Sequence, residues 1–280
     1  VRALLLEGDN LEHLVALERD PVVAGQIALA YLDPPFGTGR DFGAYDDRWA
    51  SREALLGMLR PRLAAIHRLL SADGSILVHV DHRIAPGAAL LLDEIFGPGD
   101  RDPPRAIPAP GFRNELIWTY GLGGSSRRFY PRKHDVIFWY TRGSSWTFEP
   151  PTMPARSRRM AGREKKQLDV FVGPPALDDD APVLSDVWDL PAINNMARER
   201  TGYPTQKPLA LLERLVAAHS RPGDLVIEPF CGSGTSVVAA VRLGRRAIGI
   251  DASAQAIAVT ERRLATLDST LDSTLDPGPE

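Results

Sequence analysis

Apolar positions along the chain fall into short runs separated by stretches with helical spacing. Ile27–Leu32 is an unbroken apolar run of strand length. Ser51 is placed to cap a helix that carries Leu55, Leu59, Leu63 and Ile66 on one face. Pro61 falls inside that stripe and predicts a kink or a later start. A turn at Ala72-Asp73-Gly74 precedes a strand over 75–80. Two runs rich in aromatic and β-branched residues, 115–119 and 135–140, predict further strands. Pro208 suits the first position of a helix reaching about His219. A turn at Arg221-Pro222-Gly223-Asp224 then leads to a strand, Leu225–Glu228. A helix over 236–243 stops at Gly244, a strand covers 247–250, and Ser253 can cap a last helix.

This alternation predicts an α/β fold: a mostly parallel, twisted sheet with helices on both faces. Two segments break the pattern. Residues 97–112 are rich in Pro and Gly, and residues 143–190 show little periodicity. A loop that long inside a domain is usually functional or disordered. The end of the chain, 267–280, repeats Leu-Asp-Ser-Thr and reads as a flexible tail.

Composition narrows the classes. The chain has 280 residues, 44% apolar and 25% charged, enough for a substantial core. No apolar run approaches the roughly 18 residues of a membrane span, and the first residues lack a signal-peptide pattern. A single cysteine, Cys231, excludes an internal disulfide framework and a cysteine-rich zinc site. A cytoplasmic location is the expectation. The six histidines show no metal-ligand spacing, so no metal is inferred. The net charge of −3 hides an uneven distribution, because residues 113–166 carry twelve Lys or Arg against four Asp or Glu. Such a stretch suits a polyanion, and Arg suits forked contacts to phosphate or guanine.

Two motifs carry the chemistry. Asp33-Pro34-Pro35-Phe36 follows the first strand directly. In an open α/β sheet, ligands bind beyond the carboxyl ends of strands. The prolines contribute carbonyls and no N–H groups, so with the Asp33 carboxylate they form a cluster of acceptors beside an aromatic plane. That suits a planar substrate with an exocyclic amine. Glu228-Pro229-Phe230-Cys231-Gly232-Ser233-Gly234-Thr235 joins a strand to a helix through a glycine-rich turn. Asp251 ends the next strand, where an acidic residue can hold ribose hydroxyls. This pattern suits a nucleoside cofactor. It lacks the third glycine of the dinucleotide fingerprint, with Val237 in its place, and it lacks the lysine of a phosphate-binding loop.

These two motifs, with Pro204-Thr205-Gln206-Lys207-Pro208 before the second, resemble the DNA amino-methyltransferases. That family methylates adenine N6 or cytosine N4 with S-adenosylmethionine. The catalytic motif comes first here and the cofactor loop last, an order that resembles the circularly permuted β class. Gly8-Asp9-Asn10, Asp73-Gly74-Ser75 and Lys133-His134-Asp135 are lesser matches. The resemblance implies a Rossmann-like domain whose catalytic half is 1–142 and whose cofactor half is 191–266, with a small target-recognition insertion at 143–190.

It also implies roles. Asp33, Pro34, Pro35 and Phe36 would be catalytic, the first two accepting from the target amine and Phe36 stacking on the flipped base. Asp9, Asp33, Lys207, Glu228, Phe230, Cys231, Gly232, Ser233, Gly234, Thr235 and Asp251 would line the cofactor, with Lys207 near its carboxylate and Asp9 near its adenine. Glu228 stands where the family more often has Asp. Arg127, Arg128, Arg132, Arg156, Arg158, Arg159, Arg163, Lys165 and Lys166 would contact double-stranded DNA. A homodimer and a cognate restriction enzyme are further partners the resemblance implies. The residues leave adenine N6 and cytosine N4 both open, since either amine needs the same acceptors. RNA methylation and a non-catalytic DNA-binding module are the rival readings. Motif order and the basic insertion argue against the first, and the intact Asp33, Phe36 and glycine loop against the second.

Overall fold

A computed structural model describes residues 2–101, 109–121, 127–152, 183–194 and 196–273, with side chains through residue 267. Eight strands form one sheet: β1 (Ala3–Glu7), β2 (Ile27–Leu32), β3 (Leu70–Val80), β4 (Gly111–Thr119), β5 (His134–Thr141), β6 (Val187–Asp189), β7 (Leu225–Glu228) and β8 (Arg246–Asp251). Their order across the sheet is β1-β8-β7-β2-β3-β5-β4-β6. All neighbours are parallel except β5, which runs antiparallel to both β3 and β4. The carboxyl ends of β2, β3, β7 and β8 therefore share one edge. The reversed β5 brings the β4–β5 connection to that same edge.

Among the described residues, six α-helices cover the sheet: α1 (Asn10–Leu17), α2 (Arg52–Leu69), α3 (Ala85–Phe96), α4 (Leu209–His219), α5 (Thr235–Arg242) and α6 (Ala254–Ser273). Strand residues alternate between the faces. Ala30 and Leu32 of β2 pack with Leu55, Leu59 and Leu63 of α2, whereas Leu29 and Tyr31 pack with Leu211 and Leu215 of α4. The expected two-faced α/β fold is thus the observed one.

Several elements differ from the periodicity reading. Ser51 caps α2 as expected, its Oγ accepting from Ala54 N at 3.2 Å. Pro61 lies within α2, which continues across it because its apolar stripe is anchored in the core on both sides. The predicted turn at 72–74 is a bulge inside β3: Ile27 pairs with Leu70, but Leu29 pairs with Ser75. Gly74 is required there, since a Cβ would lie 2.7 Å from the Ile27 carbonyl. The stretch 143–190 ends in a sheet strand, β6, whose Trp188 is buried and donates to the Ser185 carbonyl. Helix α6 runs through Ser273, further than a tail beginning at 267 would allow. Elements β1, α1 and α3 carried no clear periodic signal.

Candidate active site

The site grows from three strand ends. Chain leaving β2 becomes Asp33-Pro34-Pro35-Phe36, chain leaving β7 becomes the glycine turn, and β8 ends on Asp251. Between them lies a cavity of about 300 Å³, lined by Asp9, Asp33, Phe36, Lys207, Glu228 and Asp251 among others. This is the lower end of the range typical for small-molecule pockets.

The glycine turn is shaped by backbone and held from outside. Gly232 and Gly234 sit at φ of 50° and 70°, the left-handed region. A Cβ on Gly234 would lie 2.3 Å from Thr260 of α6. From the same helix, Arg263 donates to the Ser233 carbonyl at 2.7 Å and to Thr235 Oγ1 at 2.9 Å. Asp251 accepts from Gly232 N at 2.8 Å and from Ser253 N at 2.9 Å. Burial pushes its carboxyl above the ordinary range, against those two hydrogen bonds. Cys231 is buried and its thiol is pushed well up by burial, so it packs rather than attacks.

Asp33 has a partner the sequence did not assign to it. Lys207 Nζ donates to both carboxylate oxygens, at 2.7 and 2.5 Å. The ammonium also lies 5.0 Å from the Phe36 ring centroid. Lys207, expected near the cofactor carboxylate, is bonded in this structure to Asp33, the expected catalytic acid. The chain after Phe36 is pinned by the buried Asp47, which accepts from Gly37 N, Thr38 N and Thr38 Oγ1 at 2.9, 2.8 and 2.6 Å. Tyr45, further along this loop, meets Thr205 Oγ1 at 3.1 Å and closes one side of the cavity.

Glu228 is buried, and its Oε2 has no hydrogen-bond partner in the structure. Burial raises its carboxyl well above the ordinary range; the Asp33 charge adds to this and Lys207 opposes it. Asp9 caps α1, accepting from Leu11 N at 2.8 Å, and pairs with Arg62 at 2.9 Å.

Sequence reasoning missed Tyr31, Asn10, Arg62, Tyr45 and Tyr203, all of which line the cavity. Asn10 stands in the Gly8-Asp9-Asn10 match, and its amide donates to the Pro229 carbonyl at 2.6 Å. Arg62 gave no signal, because its partner is 53 residues away in the chain. Arg127, Arg128 and Arg132 are exposed on the β4–β5 connection, on the pocket edge of the sheet. Arg156, Arg158, Arg159, Arg163, Lys165 and Lys166 lie outside the described residues.

Comparisons with known proteins agree on one family. The family model for DNA methylases of the N6/N4 type matches residues 27–262. The chain is 26% identical to a DNA adenine methyltransferase, YhdJ, of Escherichia coli (strain K12), across 93% of this chain and 82% of that one. It is 29% identical to the type II methyltransferase M.EcaI of Enterobacter cloacae, across 91% of this chain and 68% of that one. Among solved structures, the fold is similar to the cytosine-N4-specific PvuII DNA methyltransferase, with a TM-score of 0.64 at 15% identity, covering 100% of this chain and 89% of that one. It is also similar to M1.HpyAVI in complex with SAM, with a TM-score of 0.60 at 20% identity, covering 94% and 98%. The chain belongs to the N6/N4 DNA methylase family and is a DNA amino-methyltransferase.

Proposed function

We propose that this chain transfers a methyl group from S-adenosylmethionine to the exocyclic amine of a base extruded from double-stranded DNA, at specific sites. The observation that carries this reading is the convergence of Asp33, Phe36, Glu228 and Asp251 on one cavity. Glu228 offers a buried oxygen without a partner, suited to a cationic ammonium, and Asp251 offers acceptors suited to ribose hydroxyls. The glycine turn leaves room for a ligand to approach backbone. These residues fit the cofactor, which when bound supplies an electrophilic methyl on a sulfonium.

The chain's own residues do the rest. An exocyclic amine is a poor nucleophile because its lone pair is delocalised into the ring. Asp33 and the Pro34 carbonyl accept hydrogen bonds from its two N–H groups and favour a tetrahedral nitrogen whose lone pair faces the methyl donor. Lys207 holds the Asp33 carboxylate in place for this task. Phe36 gives the extruded base a face to stack on, offsetting part of the few kcal/mol that extrusion costs. The rate gain comes from positioning and fixed charge, with no strong base required. We place the recognition of sequence in the basic stretch within 143–190, and the protein in the cytoplasm with its DNA. A homodimer of this 30.6 kDa chain and a cognate restriction enzyme are partners the resemblance adds.

Mass spectrometry of nucleosides from unmethylated plasmid, incubated with the protein and S-adenosylmethionine, tests the reading. N6-methyladenine or N4-methylcytosine supports it and names the base. No methylated nucleoside across varied DNA, with cofactor binding confirmed, refutes it.

A further inference from the structure

The β4–β5 connection presents a surface the catalytic cavity does not use. Residues 127–133 read Arg-Arg-Phe-Tyr-Pro-Arg-Lys, and every one is exposed. From Tyr120 to His134 the sequence contains no acidic residue. Within this cationic tip stand two large aromatics, Phe129 at 57% and Tyr130 at 95% exposure. Arg132 lies over the Phe129 ring, 4.9 Å from its centroid. Exposing a Tyr ring almost completely forgoes its burial energy, and exposed aromatics among cations are a common arrangement for gripping unstacked bases.

Place in the fold favours the same reading. The sheet brings this connection to the edge that holds the catalytic cavity. Its root is tied to the expected base-stacking residue by a chain of contacts that is buried at its centre. Tyr120 N donates to the Lys133 carbonyl at 3.2 Å, closing the loop base. Tyr120 Oη donates to Asp135 at 3.0 Å, and Asp135 meets His79 Nε2 at 3.1 Å. The His79 ring lies 6.0 Å from Phe36 and is fixed on its other nitrogen by Tyr31 Oη at 2.7 Å. The root of the connection thus has a set relation to Phe36, and the tip springs from that root on the cavity edge of the sheet.

We propose that residues 127–133 dock on duplex DNA at the target site, with the cations on phosphates and Tyr130 entering the base stack vacated by the extruded base. This rests on the function proposed above and names the element that opens the duplex. The cost of unpairing is then shared: Phe36 receives the base inside, and Tyr130 fills the gap it leaves.

The test uses the full chain. Sequencing of plasmid methylated by the unaltered protein first locates the target; absence of any modified base overturns the proposed function itself. Tyr130→Ala and Tyr130→Trp are then compared with the unaltered protein on a duplex with a matched target pair and on one with a mismatch there. Tyr130→Ala should lose about tenfold in kcat/KM on the matched duplex. Most of that loss should vanish on the mismatched duplex, whose base leaves the stack more easily. Tyr130→Trp should act like the unaltered protein on both. The pair Arg127→Ala and Arg132→Ala should flatten the salt dependence of DNA binding by about one unit of slope for each cation removed. Full activity of Tyr130→Ala on the matched duplex, or an equal loss on both duplexes, would overturn the proposal.

Discussion

Two neighbouring strands, β2 and β7, end in nearly the same words: Asp33-Pro34 and Glu228-Pro229, each followed by a phenylalanine within three residues of its acid. Their surroundings make them opposites. Asp33 is held by both oxygens on Lys207, whereas Glu228 is buried with one oxygen unpartnered and its carboxyl pushed up. An acid with a fixed cation is suited to accept hydrogen bonds from a substrate amine. An acid left without one waits for a cation, and bound cofactor can bring it. In the proposed reaction it is the partner, more than the residue type, that sets the two acids apart.

The sharpest way to break this contrast is to remove the partner. Lys207→Met leaves the Asp33 carboxylate in a largely enclosed site without its cation. Breaking such a pair costs on the order of 3 kcal/mol. Methylation should fall by two orders of magnitude or more, measured in single-turnover assays, while DNA binding persists. Asp251→Ala acts on the other strand end. Losing hydrogen bonds to a charged acceptor weakens binding by about 2 kcal/mol. Cofactor titration calorimetry should show that loss, and an unchanged isotherm would remove Asp251 from the site.

A change of backbone freedom should cost less. Gly234→Ala places a Cβ against Thr260 at a left-handed position, which costs about 1–2 kcal/mol before the contact is counted. Chemical denaturation should report it, with Thr260→Ser failing to restore stability because the backbone strain and the contacts with the Oγ and Cβ of residue 260 remain. The last effect is one of pH, and it is specific to Glu228. Its folded form holds a proton more tightly than its unfolded form, whose ordinary value is 4.5. The stability it contributes is present below that value and is lost as pH rises towards the folded one. Glu228→Gln has no such dependence, so its melting temperature relative to the unaltered protein should climb from pH 5 to pH 8. The slope is at most about 1.4 kcal/mol per pH unit.

The sequence made the fold's motif-bearing strands legible because buried parallel strands are continuous apolar runs with sharp ends. β2 and β7 were placed to the residue for that reason. β1 is only partly buried, with no turn signal ahead of it, and α3 (Ala85–Phe96) is apolar nearly all round, with Leu90 exposed, so no stripe marks it. β6 is three residues inside a stretch without periodicity and exists only by pairing with β4. At the site, Asp33, Phe36, Glu228, the glycine turn and Asp251 were readable because each lies at or just past a strand end, in a fixed order. The Lys207–Asp33 bond was not, because it spans 174 residues and only the folded sheet brings them together. The same holds for the link from Phe36 through His79 and Asp135 to Tyr120.

The most direct measurement takes Asp33→Asn and determines two quantities on one preparation: S-adenosylmethionine affinity by calorimetry and single-turnover methylation of plasmid DNA. If the two strand ends divide the work, transfer falls by about a thousandfold while cofactor affinity stays nearly intact. Retained transfer, or a loss of affinity that matches the loss of transfer, would contradict that division.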